Sequence, residues 1–106
     1  MKRLKNKKNA LIHHSIKRAK QRYDLDLNEH QIREISNFIS KQKKENCIFL
    51  SPQTNRVNRW AVKYNGKILP VIYDNQRHII VTILEENMLT NEEKQLISIF
   101  KNNAEE

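Results

Sequence analysis

The chain contains one glycine, Gly66, and it directly follows Asn65. The pair lies between two runs of β-forming residues, 57–64 and 67–73. In the first run Trp60, Val62 and Tyr64 alternate with Arg59, Ala61 and Lys63, which puts the two sets on opposite faces of a strand. A two-residue type I′ turn needs positive φ at both central positions, and Asn-Gly tolerates this at little steric cost. Residues 57–73 are therefore read as an antiparallel hairpin. With 1 Gly and 2 Pro in 106 residues, collagen-like and low-complexity architectures are excluded.

The remaining elements follow from turn, capping and periodicity signals. Residues 74–77 form a polar turn, and 78–84 read as another strand. Residues 47–50 are a short apolar run, followed by a loop that contains Pro52. Pro70 cannot donate to a ladder and is expected at an edge or a bulge. Towards the N-terminus, Ile12, Ile16, Ala19 and Tyr23 make one apolar stripe, which predicts a helix from Asn9 to about Tyr23. Residues 1–8 are expected to be a basic, flexible tail. Asn28 and Gln31 have capping-box spacing, and Leu27 and Ile32 have hydrophobic-staple spacing. They open a second helix that buries Ile32, Ile35, Phe38 and Ile39 and ends near Lys43 or Lys44. Thr90 and Glu93 form another capping box, opening a last helix to about Lys101 that carries Leu96, Ile97 and Phe100. The expected fold is α+β: two N-terminal helices, an antiparallel meander of three to four strands and a C-terminal helix, with the helices on one face. Residues 9–102 are expected to form a single domain.

The net charge of +8 is unevenly placed. Lys2, Arg3, Lys5, Lys7, Lys8, Lys17, Arg18, Lys20 and Arg22 all precede the first carboxylate, while later residues are nearly balanced. A local positive field of this kind attracts a polyanion, either nucleic acid or an anionic surface. Cys47 is the only cysteine, so an internal disulfide and a CxxC zinc site are excluded, and a buried strand position is expected for it. Behind the basic start only Leu11 and Ile12 precede His13 and His14, short of the roughly 7–15 apolar residues of a secretory signal. No stretch approaches the ~18 apolar residues of a spanning helix. A soluble, cytoplasmic protein that does not engage a membrane is expected.

The first helix carries the chemistry. His14 and Arg18 are four residues apart, so they share a face about 6 Å from one another, with Lys17 and Gln21 beside them. An imidazole can move a proton near neutral pH, and a guanidinium can hold a phosphate through two hydrogen bonds. Cleavage of RNA through its own 2′-hydroxyl needs this combination and no metal or cofactor. A solvated basic face is the bland alternative. On a helical wheel His14 and Arg18 fall opposite the apolar stripe, so they are functional only if that face lines a cleft. His13 lies at the border of the stripe and is the alternative histidine. From the strands, Thr82 could bind a phosphate oxygen, and Tyr73 could donate a proton or stack on a base. Simple hairpin pairing puts Trp60, Tyr73, His78 and Thr82 on one face, and one added residue in the 74–77 turn would reverse the last strand. Trp60 is expected in the core. Lys17, Lys20, Arg22, Arg56, Arg59 and Lys63 are candidates for holding a nucleic-acid backbone. There is no Gly-rich phosphate loop, HExxH or cysteine cluster, and adjacent His13 and His14 make a poor metal pair.

The order of these segments, HHSIKRAKQRYDLDL followed by RWAVKYNGKILPVIYD and HIIVTIL, resembles the barnase/EndoU/colicin/RelE-like (BECR) endoribonuclease toxins, in the phage and bacterial branch with a histidine on the first helix. The resemblance covers about residues 10–85. It implies a toxin-type RNA endonuclease with His14 as general acid or base, Arg18 at the scissile phosphate, and Thr82 and Tyr73 contributed by the sheet. Transfer RNA or messenger RNA is the implied substrate, and an acidic antitoxin or immunity protein the implied partner. A non-catalytic nucleic-acid-binding module and a protein-interaction domain, such as an inhibitor, are the alternatives.

Overall fold

The computed structural model describes the backbone of residues 2–104 and the side chains of residues 7–102. Asn65 and Gly66 take φ of 52° and 77°, and they turn β2 (Val57–Tyr64) into β3 (Lys67–Asp74) with Tyr64 opposite Lys67. β1 (Cys47–Pro52) and β4 (Ile79–Ile83) complete an antiparallel meander in the order β1-β2-β3-β4. α1 (Lys2–Tyr23) and α2 (Glu29–Ser40) precede the sheet. A 3-10 turn (Glu86–Met88) and α3 (Asn91–Ala104) follow it. The fold is α+β, with two helices before the meander and one after it.

The local signals act as their chemistry requires. The Asn28 carboxamide accepts from the Gln31 N–H at 2.8 Å, and the Gln31 side chain accepts from the Asn28 N–H at 2.9 Å. Leu27 and Ile32 are both buried in the same core cluster, as the staple requires. Thr90 and Glu93 make the reciprocal pair at α3, at 2.9 and 3.1 Å. Glu93 is also buried against β1 and β2, accepting from the Ser51 hydroxyl at 2.6 Å and from Arg59 Nη1 at 3.0 Å. The α3 cap thus doubles as the clamp that holds this helix to the sheet.

Pleating divides the core in two. Trp60, Val62, Tyr64, Leu69, Val71 and Tyr73 pack with Ile12 and Ala19 of α1 and Ile32, Ile35 and Ile39 of α2. Ala61, Ile68 and Ile72 instead pack with Leu84, Leu89, Leu96 and Ile97. α3 therefore lies on the face opposite α1 and α2, rather than all helices sharing one face. The reason is visible in β2 and β3, where both sets of alternating residues contain apolar side chains.

β1 runs on through Ser51 and Pro52, positions read as loop, β4 is Ile79–Ile83 rather than 78–84, and the helix ends differ from expectation in three places. α1 begins at Lys2 rather than Asn9, which makes helix of positions read as a tail; the side chains of Lys2, Arg3 and Lys5 lie outside the described residues. α2 closes at Ser40, because Lys41 leaves helical geometry and Gln42 takes φ of 51°, so Lys43 and Lys44 fall in the following turn. α3 runs to Ala104 rather than Lys101.

The register of β4 corrects the expected sheet faces. Tyr73 pairs with Ile80 and Ile72 with Thr82, leaving Val81 as an extra residue in a β-bulge. Thr82 therefore stands on the pleat of Ile72 and Arg59, not on that of Tyr73 and Trp60. The added residue lies within the strand rather than in the turn. Pro70 occupies an interior strand, where its carbonyl accepts from Leu84 N–H at 2.7 Å. In an antiparallel ladder a residue's nitrogen and carbonyl point the same way, so the missing donor faces the point where β4 has ended.

Candidate functional site

The chain brings His14 of α1 to Thr82 of β4. His14 Nε2 lies 3.0 Å from Thr82 Oγ1, and which atom donates depends on the imidazole tautomer. The bulge at Val81 is the backbone device that places this hydroxyl. Partial burial, and after it the charges of Arg18, Arg22 and Lys17, hold the His14 imidazole below its ordinary pKa. The lowered pKa favours the neutral ring, the form that can accept a proton.

Successive turns of α1 continue the same ridge, because His14, Arg18 and Arg22 are spaced four and four. Arg18 is half-buried. Its Nη1 donates to Gln21 Oε1 at 2.6 Å, and its Nε is buried with no acceptor. The guanidinium is thus only partly satisfied, with free donors beside the imidazole. Arg22 donates to the Ile83 carbonyl at 2.8 Å, and Tyr23 donates to the Leu84 carbonyl at 2.6 Å. These two residues pin the end of α1 to the end of β4 and fix the height of His14 against Thr82. Arg22 was expected only as a backbone-binding cation; its spacing from Arg18 was the legible sign that it belongs to the His14 ridge. Ser15, buried next to His14 with an unpartnered Oγ, carried no sequence signal beyond its place between Ile12 and Ala19.

The other candidates lie elsewhere. Tyr73 is buried, and its hydroxyl meets Ser40 of α2 and, at 3.3 Å, His78 Nδ1. Its hydroxyl is engaged by α2 and His78, and no hydrogen bond joins it to His14 or Thr82. His13 is exposed and projects about 100° around the helix from His14. Lys17 is exposed beside His14, whereas Lys20 is paired with Asp24 at 2.9 Å and Asp26 at 3.3 Å. Arg56 reaches Asp74 at 3.5 Å, and Arg59 is held by Glu93, Gln53 and the Met88 carbonyl. The Lys63 ammonium lies 4.2 Å from the centre of the Phe100 ring. Arg56, in the loop before β2, and Arg59 and Lys63 of β2 are thus engaged in intramolecular contacts and do not join the α1 ridge. Trp60 is half-buried, edge-on to Phe49 at 5.4 Å, at the margin of the core rather than inside it. Cys47 is buried, with burial raising its thiol pKa, as its strand position suggested.

The main grooves among the described residues lie away from the cleft expected beside His14. One of 810 Å³ opens near β1 and the end of α3, another of 610 Å³ near the Asn65-Gly66 hairpin, and a third of 730 Å³ near Ser51 and Thr90. None of the three is lined by His14, Arg18 or Thr82. His14 and Arg18 are both partly buried, His14 against Thr82, and the cleft expected beside them is not among these three grooves. Among the described residues no group of three or more His, Cys, Asp or Glu side chains could hold a metal ion, and no helix is long and apolar enough to cross a membrane. No family model matches the chain, and the searches of curated proteins and of solved structures likewise return no match.

Proposed function

We propose that the chain is a metal-independent RNA endonuclease that cleaves through the 2′-hydroxyl of its substrate. The observation that carries this reading is the His14–Thr82 hydrogen bond, with partial burial and then the charges of Arg18, Arg22 and Lys17 holding the imidazole below its ordinary pKa. His14 takes the proton of the 2′-hydroxyl, and the oxygen attacks the adjacent phosphorus. The bond from phosphorus to the 5′ oxygen breaks, and this leaving oxygen gains a proton from water. The products are a 2′,3′-cyclic phosphate and a free 5′-hydroxyl. Arg18 donates to the phosphate oxygens as charge accumulates there, and Thr82 holds the imidazole in one orientation. Transfer RNA or messenger RNA is the substrate class, with an acidic antitoxin or immunity protein as partner.

Labelled RNA incubated with the protein in EDTA tests this. Cleavage should leave 2′,3′-cyclic phosphate ends, fail on RNA with 2′-deoxy substitution at the cut site, and be lost in His14→Ala but retained in His13→Ala. The run of cations along α1 favours one other reading, a nucleic-acid-binding module without catalysis. Wild-type protein that retards RNA on a gel yet leaves it intact would establish that reading and reject cleavage.

A further inference from the structure

The 810 Å³ groove is lined by Cys47, Ile48 and Phe49 of β1, Trp60 and Lys63 of β2, and Ile99 and Phe100 of α3, with Gln42, Lys44 and Glu45 at its end. Phe49 is 43% exposed and Ile99 55%, two of the three large apolar side chains most open to water among the described residues. Apolar side chains grouped around one groove mark an interaction surface, whereas scattered ones do not. β1 is an edge strand, so this face of the sheet also ends without a neighbour. Lys41, Lys43 and Lys44 are exposed in the turn that leads into β1, and no ion pair holds them among the described residues. Glu45 is the one carboxylate in the lining.

We propose that this groove docks a partner protein through a segment that carries both acidic and large apolar residues. The apolar residues cover Phe49, Ile99 and Trp60, and the carboxylates lie along the Lys41–Lys44 rim. Charge decides against a second copy of this chain, since each copy carries +8 and both rims would be cationic. The lining favours apolar side chains over stacked bases: Phe49 and Trp60 meet nearly perpendicular at 5.4 Å rather than as parallel platforms, and Ile48 and Ile99 add aliphatic surface. The contact is made chiefly by side chains. The irregular register between Phe49 and Ser51, and the absent donor at Pro52, limit how far a guest strand could extend the sheet. This site is separate from the His14 ridge and holds whether or not the chain cleaves RNA.

Trp60 is the only tryptophan, so its emission reports on the groove directly. The test is selection of a displayed library of random short peptides on the full chain, followed by titration of the recovered peptides against Trp60 fluorescence. Recovered peptides should be enriched in Asp or Glu together with Leu, Ile or Phe and should shift the Trp60 emission. They should bind at least about tenfold more weakly to Phe49→Ser and to Lys43→Glu/Lys44→Glu. Both variants alter exposed side chains, and circular dichroism confirms their fold. The proposal is overturned if selection recovers nothing, if recovered peptides lack acidic residues, or if the variants bind them unchanged. It is equally overturned if single-stranded RNA produces the same emission change and competes with the peptides, or if sedimentation finds the free chain dimeric.

Discussion

Thr82→Val removes one hydroxyl from the proposed site and keeps the branched shape of the side chain. The lost contact is the 3.0 Å hydrogen bond to His14 Nε2. A neutral side-chain hydrogen bond is worth a net ~0.5–1.5 kcal/mol. If Thr82 acts only by orienting the imidazole, the rate should fall by that amount, about two- to tenfold. Loss of the proton-transfer group in His14→Ala should cost far more, about 10²–10⁴-fold. The two changes should also be strongly non-additive, because Thr82 has nothing to orient once the imidazole is gone. Single-turnover cleavage of a labelled RNA oligonucleotide by the wild type, both single variants and the double variant measures all three quantities, with melting curves as a control for folding. A Thr82→Val rate equal to wild type would refute the orienting role. So would a Thr82→Val effect that persists undiminished in the His14→Ala background.

The depressed His14 pKa sets the direction of pH dependence: cleavage should weaken as pH falls below the ordinary histidine range, and Lys17→Ala, by removing one cation, should move that acid limb to higher pH in a kcat/KM profile. The unfolded chain takes up this proton first on acidification, so His14 also removes some stability below its ordinary pKa. Asp74 is buried and binds the Gln76 and Arg77 amides at 2.8 and 3.0 Å and the Arg77 side chain at 3.0 Å. Burial pushes its pKa up, but these donors and Arg56 outweigh it and leave the carboxyl below its usual range; its contribution is present above that range and lost as pH falls through the depressed value. Asp74→Ala should cost about 1.5–3 kcal/mol in urea unfolding, because the arginines it leaves behind can hydrate, and a loss under about 0.5 kcal/mol would show that the turn is held by other contacts. Gly66→Ala should cost about 1–2 kcal/mol from φ of 77° alone, since an added Cβ meets nothing within 4 Å; a neutral change in Tm would contradict the turn geometry.

Much of the fold was legible because its signals are local. The Asn28–Gln31 and Thr90–Glu93 boxes act within one helical turn, and Asn65-Gly66 needs only its own two φ values, so no distant residue can override them. The α3 face was not legible from alternation alone, because β2 and β3 carry apolar residues on both pleats and either could have been covered. His14 with Thr82 was half legible. Helical spacing isolated the imidazole and its arginine, but the bulge at Val81 arises from long-range pairing and leaves no mark in IIVTIL. The intramolecular partners of Arg56 and Arg59 were not legible for a related reason: Asp74 and Glu93, which engage them, are 18 and 34 residues away.

The position of Val81 has an evolutionary corollary. Were the same residues to pair without a break, Thr82 would fall opposite Val71 and its hydroxyl would turn into the hydrocarbon interior beneath the helices. A chain lacking Val81 altogether, by contrast, would keep Ile80 opposite Tyr73 and Thr82 opposite Ile72. One codon can thus enter or leave the strand at this point without disturbing the pairs on either side of it. Relatives that share the ridge could differ in the count of residues between imidazole and hydroxyl, and a search pattern that fixes that count would pass over them.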